Sequence, residues 1–260
     1  MGSTPRTCGR ALMTTAPQPQ LQSPLLTNLP FELRQFIYQS CLGGHQISLF
    51  PNPKRLNGTG ASSPQSNLLA LLLTCKQIYT EAISTLYTHN IFSTSSLYCI
   101  LHLNDLILPQ RVNTIRSFTL YWTSGTLPQQ TSHDHRYEYT SKYTQWAIVW
   151  ANLAAMQGLE DLRVELGLSS CWQSGHHERR REDQAAFWEP VKAVARPRNF
   201  ILKFLYPVEV DEDVLKGMPC VVERCSDGDG AAELIGALTQ RIKENVRQLL
   251  GSATYERTLF

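Results

Sequence analysis

Apolar positions recur along this chain at two spacings, first helical and then alternating with strand. In the run PFELRQFIYQSCL, at 100° per residue, Leu33, Phe36 and Ile37 share one face with Ser40, while Phe31, Tyr38 and Leu42 form a second stripe nearly opposite. Pro30 suits the first helical position, Glu32 in the first turn favours the helix dipole, and Gly43 and Gly44 give the backbone freedom of an exit. A helix over 30–42 with two surfaces to cover follows. HQISLF then reads as a short strand, and residues 51–66, rich in Pro, Gly, Ser and Asn, as an exposed loop. Leu68, Leu72, Cys75, Tyr79, Ala82 and Leu86 recur at three and four residues and predict a second helix from Ser66 or Asn67 to Tyr87. HNIFSTSS predicts a strand able to pair with ISLF, and residues 97–108 a short helix stopped by Pro109.

Beyond Pro109, strand and helix alternate through TIRSFTLYW, TQWAIVWANLAAMQG, LEDLRVEL, AAFWEPVKAVARP and NFILKFLY. Alternation of this kind predicts a parallel sheet built by right-handed crossovers. Trp146, Val149, Trp150, Leu153 and Met156 line one face of the first crossover helix, with Gly158 at its exit; Pro190 divides the second into two pieces. The strands recur at intervals of roughly forty residues, a leucine-rich-repeat-like layout. The expected fold is therefore α/β with a mixed α+β start: N-terminal helices with a small strand pair, then a strand-helix repeat-like layer with a largely parallel sheet. Residues 1–24 read as a disordered tail, 25–108 as a helical module with the inserted loop 51–66, 109–250 as the strand-helix region, and 251–260 as a C-terminal tail. The unpatterned stretch 123–142 is long enough to be a specificity loop. A last helix over 231–250, with Leu234, Ile235, Leu238, Ile242, Val246 and Leu249 on one side, is expected to dock on the body.

Composition narrows the function classes. At 42% hydrophobic and 18% charged the chain has the makings of a packed core. Its net charge of +2 and pI near 8.2 come from dispersed residues, so no nucleic acid is expected. No run reaches the roughly 18–20 apolar residues of a membrane span, the opening lacks a signal sequence, and Arg6 spoils a myristoylation site. The odd, irregularly spaced set Cys8, Cys41, Cys75, Cys99, Cys171, Cys220 and Cys225 suits a reducing, intracellular compartment, cytoplasmic or nuclear. With no G-x-S-x-G and no glycine-rich phosphate loop, the expectation is a non-enzyme with no catalytic residue, no cofactor and no small-molecule ligand. His133, Asp134 and His135, and likewise His176 and His177, fit a solvated loop better than a metal site; Cys220 and Cys225 read as unlinked thiols. Arg179, Arg180 and Arg181 lie among Glu178, Glu182 and Asp183, as on a charge-balanced helix surface. The rival from another class is an enzyme whose site gathers scattered residues such as His102, His133, Cys171 and Glu138.

Two motifs carry a resemblance: Leu29 to Tyr38, LPFELRQFIY, and Thr74 to Ala82, TCKQIYTEA. Together they resemble the fungal F-box-like domain family of unknown function, closely over residues 25–95 and in layout beyond. F-box proteins bind the Skp1 subunit of a ubiquitin ligase through their leading helices and hold a substrate with a C-terminal repeat domain. The resemblance implies a protein-protein interaction module, an adaptor with a Skp1-like protein partner, and an insertion at 43–66 departs from the ordinary F-box. The stripe Phe31, Tyr38 and Leu42, approached through Leu29 and Pro30, is the candidate contact surface of the helix-in-groove kind. The same stripe also reads as core beneath the chain's own α/β layer, and a scaffold with F-box-like architecture but no ligase link is a further alternative.

Overall fold

The computed structural model describes residues 18–50, 57–60, 68–123, 135–168, 177–206, 210 and 212–224. In it the strand-helix alternation starts well before residue 109. After the single turn α1 (Pro24–Thr27) come α2 (Phe31–Leu42), β1 (Gln46–Phe50), β2 (Asn57–Gly60), α3 (Leu69–Leu72), α4 (Lys76–Thr88) and β3 (Ile91–Thr94). The short helices α5 (Leu97–Leu101), α6 (Leu103–Leu106) and α7 (Pro109–Val112) lead into β4 (Ser117–Thr123). Then α8 (His135–Ala155), β5 (Asp161–Gly167), α9 (His177–Lys192), β6 (Asn199–Phe204), α10 (Glu212–Leu215) and β7 (Val221–Glu223) complete the described elements.

Among the described residues, seven strands form one sheet in the order β2-β1-β3-β4-β5-β6-β7. Six of them are parallel; β2 turns back antiparallel on β1. The parallel strands are therefore neighbours in chain order, and right-handed crossovers then put their helices on one face. Contacts bear this out: α2 touches α4, α4 touches α7, α5 touches α8, α8 touches α9 and α9 touches α10. Register continues across the sheet, so Ile47, Phe92, Phe118, Leu162 and Phe200 form one buried row, and Leu49, Thr94, Leu120, Val164 and Leu202 the next, which Val222 extends. The proposed boundary at 108/109 falls inside this sheet, since β3 and β4 pair across it.

The crossover helix behaves as its periodicity predicts: Trp146, Val149, Trp150, Leu153 and Met156 are all buried. Trp146 stacks on Phe187 at 4.5 Å between ring centres, lies 4.9 Å from Trp122, and donates its indole N–H to the Phe187 carbonyl at 2.8 Å. Gly158 has a different reason to be glycine from the one the sequence suggests. Its φ is ordinary, but a Cβ there would drive into the carbonyl of Asn113, whose side chain also accepts the Gln157 N–H at 3.1 Å. We expect Gly158→Ala to cost about 1–3 kcal/mol by forcing α8 off the turn before β4, read as a lowered midpoint in urea denaturation.

Several expectations are corrected. The helix expected from 66 or 67 to 87 is two helices, because Cys75 is extended (φ −155, ψ 161) and caps α4 by accepting the Ile78 N–H with its sulfur at 3.5 Å. Thr74 fixes the break, donating its hydroxyl to the Leu71 carbonyl at 2.7 Å. The helix over 97–108 is instead a chain of single turns, and Pro109 opens α7 rather than ending a helix. Pro190 does not divide α9; it lies two residues from its end, where a missing N–H removes only one bond of the last turn. Residues 135–142, expected as loop, belong to α8, whereas β2, α10 and β7 are additions that no strong periodicity announces. The helix expected at 231–250 and both tails, apart from residues 18–24, lie outside the described residues.

Candidate functional site

The two sequence motifs meet at the junction of α2 and α4. Arg34, Tyr38 and Leu42 fall at successive fourth positions of α2, and all three are buried. The Arg34 guanidinium forks onto Glu81 of α4, Nε to Oε2 and Nη2 to Oε1 both at 2.9 Å, while Nη1 donates to the Leu29 carbonyl at 2.7 Å. Tyr38 donates its hydroxyl to Oε2 of Glu81 at 2.9 Å, Gln77 donates to Oε1 at 3.0 Å, and Gln35 donates to the Glu81 backbone carbonyl at 3.2 Å. Burial alone would push the Glu81 carboxyl up, but the hydrogen bonds from Arg34, Gln77 and Tyr38 outweigh it and hold the group below the ordinary range. Burial and the adjacent carboxylate push the Tyr38 hydroxyl up to about 12. This set of charges is closed: each acceptor is matched to a donor, which makes it a clamp between two helices rather than a proton-transfer centre. One turn further on, Asn90 completes the fastening by donating to the Leu42 and Leu86 carbonyls and accepting the His45 N–H.

The clamp decides which side of α2 faces outward. Of the five candidate contact residues, Tyr38 and Leu42 are core, Leu29 is half-buried, and Pro30 and Phe31 are exposed. The expected stripe is thus divided, because the arginine finds its partner inside and carries the i+4 and i+8 positions inward with it. The apolar surface left in solvent is Phe31, Leu33 and Phe36, with 49%, 48% and 65% of their area exposed. Leu33 and Phe36 were legible as an apolar stripe, but only the position of Glu81 shows that it points outward.

Of the residues named for a hidden catalytic centre, His102 alone has a described side chain. His102 lies between α5 and α6, paired with Asp105 at 3.1 Å and leaning on Tyr98. Glu138 falls within α8, while His133 and Cys171 lie outside the described residues. Among the described residues no three His, Cys, Asp or Glu side chains are placed to hold a metal ion. His135 and His177 open α8 and α9, and His176 lies outside the described residues.

Residues 53–225 match a family described as a domain of unknown function, DUF7730. The chain belongs to the DUF7730 family. No curated protein and no solved structure matches it. The DUF7730 span includes the second motif with Glu81 and the strands β2 to β7, but α2, β1 and Arg34 precede it.

The DUF7730 sheet also presents a second surface, its polar face. Ser117 and Asn199 donate to Asp161 at 3.1 and 2.7 Å, Ser48 and Ser93 are 3.2 Å apart, and Gln46 donates to Tyr121 at 3.4 Å. Arg163 bonds Glu165 at 2.8 Å and reaches Glu223 at 3.5 Å across the intervening strand. Within this face the charges are mixed in sign and largely answer one another.

Proposed function

We propose that this DUF7730 chain is a non-catalytic protein-interaction module, an F-box-like adaptor that presents the outer face of α2 to a Skp1-like protein of a ubiquitin ligase. The observation that carries this reading is the exposure of three large apolar side chains, Phe31, Leu33 and Phe36, on a helix locked in place by the Arg34–Glu81 clamp. An amphipathic helix seated in a hydrophobic groove uses anchors three residues apart, the spacing of Leu33 and Phe36, with Phe31 at the helix start on another side, and a fixed helix loses little conformational entropy on docking. A reducing compartment, cytoplasmic or nuclear, belongs to the same reading: Cys41, Cys75, Cys99 and Cys220 are all unpaired, and burial pushes the Cys99 and Cys220 thiols up to about 11, away from reactivity. Among the described residues no helix is long and apolar enough to cross a membrane.

Calorimetric titration of the full chain with a purified Skp1-like protein tests the adaptor reading. The wild type is expected to bind, and Leu33→Asp with Phe36→Asp to weaken binding by about 30-fold or more with an unchanged unfolding midpoint, since both side chains stand in solvent. No binding by the wild type, or equal binding by the folded variant, sinks it. A second reading, a scaffold that keeps only the F-box-like architecture, draws support from the burial of Tyr38 and Leu42 and from the start of the DUF7730 span after α2; a wild type that does not bind would favour it.

A further inference from the structure

The outer face of α2 is nearly uncharged. Along its length the helix carries two ionised side chains, Glu32 and Arg34. Arg34 is buried, and its charge is taken up by Glu81. Gln35, beside it, also turns inward, to the Glu81 backbone carbonyl. Glu32 is exposed in the first turn, next to Leu33 and one turn before Phe36. Among the described residues no cation pairs with it. Further along, the exposed positions are Ser40 and Cys41, small and neutral. The large apolar groups and the unanswered charge of α2 are thus gathered in its first half.

We propose that the groove receiving this face carries a lysine or arginine on the rim that meets the first turn of α2, opposite Glu32. The inference rests on the adaptor reading and names the chemistry of its partner. A groove that takes in Phe36 strips water from the carboxylate one turn away, and an anion left unanswered there opposes binding. A cation at that point makes the same carboxylate attractive, steers the encounter and fixes which way along the groove α2 lies. Since Arg34 is held inside, the rest of the face offers no charge to answer, and the salt dependence of docking comes from Glu32. The helix dipole also favours an acid in the first turn, but that effect belongs to the stability of the free chain, whereas the paired charge acts on association.

Stopped-flow mixing of the full chain with the purified Skp1-like protein separates the two. At low ionic strength Glu32→Gln is expected to slow association about 3-fold and Glu32→Lys about 10-fold or more, with dissociation changed much less. In about 0.5 M salt the three chains associate alike. Glu189→Lys, on α9, makes the same change in net charge and associates as the wild type does. Circular dichroism during heating shows that each variant is folded before mixing. Association by Glu32→Lys that equals or exceeds the wild-type rate overturns the proposal and leaves the adaptor reading standing. An equal slowing by Glu189→Lys overturns it too, since net charge alone would then be at work. A wild type that does not bind overturns both.

Discussion

A chain that begins at residue 53 is expected not to fold, although the DUF7730 span begins there, whereas one that begins at Pro24 is expected to unfold as cooperatively as the whole. The reason is where β1 lies. It stands between β2 and β3, so its loss leaves β2 with no described partner and opens the sheet edge at β3. The same cut removes Tyr38, Leu42, Ile47 and Leu49 from the core. At about 1.5–3 kcal/mol for each fully buried side chain, that loss is comparable with the whole stability of a typical domain, about 5–15 kcal/mol. It also strands the Glu81 carboxylate without Arg34. Circular dichroism during heating is the measurement: a sigmoidal transition for the chain from Pro24 and none for the chain from residue 53. A cooperative transition for the shorter chain would mean that α2 and β1 are appendages of a self-sufficient unit.

What the sequence made legible and what it hid differ by the range of the interaction. The α8 stripe, the strands β4, β5 and β6 and the parallel layout follow from periodicity, because each depends on a face repeated along one segment. The β1–β3 pairing was legible too, but not that it continues into β4, since two short strands carry no sign of which neighbour they will take. The break at Cys75 was hidden because the apolar stripe runs straight through it; a sulfur cap and one threonine hydroxyl decide it. β7 was hidden by its length of three residues. On α2 both stripes were visible, and the sequence alone could not say which faced the core. Arg34 settles that choice, and its partner is 47 positions away.

This division also alters what the motifs mean. Arg34, Tyr38, Gln77 and Glu81 are all motif positions, and all four side chains are engaged with one another. These four positions of the two motifs therefore hold the helices together, while Leu33 and Phe36, within the first motif as well, stand outward along the same helix. A shared motif here speaks first for a shared helix junction.

Arg34→Met is expected to destabilise the full chain by about 3–5 kcal/mol, the cost of leaving a buried carboxylate uncompensated. Methionine retains most of the arginine's apolar stem, so the loss reports on charge and hydrogen bonding rather than on a cavity. Urea denaturation at neutral pH measures it. Adding Glu81→Met should recover most of the loss, because a pair of apolar side chains needs no donors; a double variant as unstable as the single one would show that the cost lies in packing. The pH dependence gives a second reading. The folded Glu81 carboxyl titrates below its ordinary value of 4.5, so its contribution is complete above that value and is lost as the pH falls through the folded one. Without Arg34, burial dominates and the carboxyl moves up. The gap in stability between the wild type and Arg34→Met should therefore narrow as the pH is lowered through this range. The Tyr38 hydroxyl adds an alkaline limb of the opposite sign: its contribution holds below the ordinary value of 10 and fades as the pH rises through about 12. A gap that stays constant between neutral and acid pH would mean that Glu81 is not the group that Arg34 holds ionised.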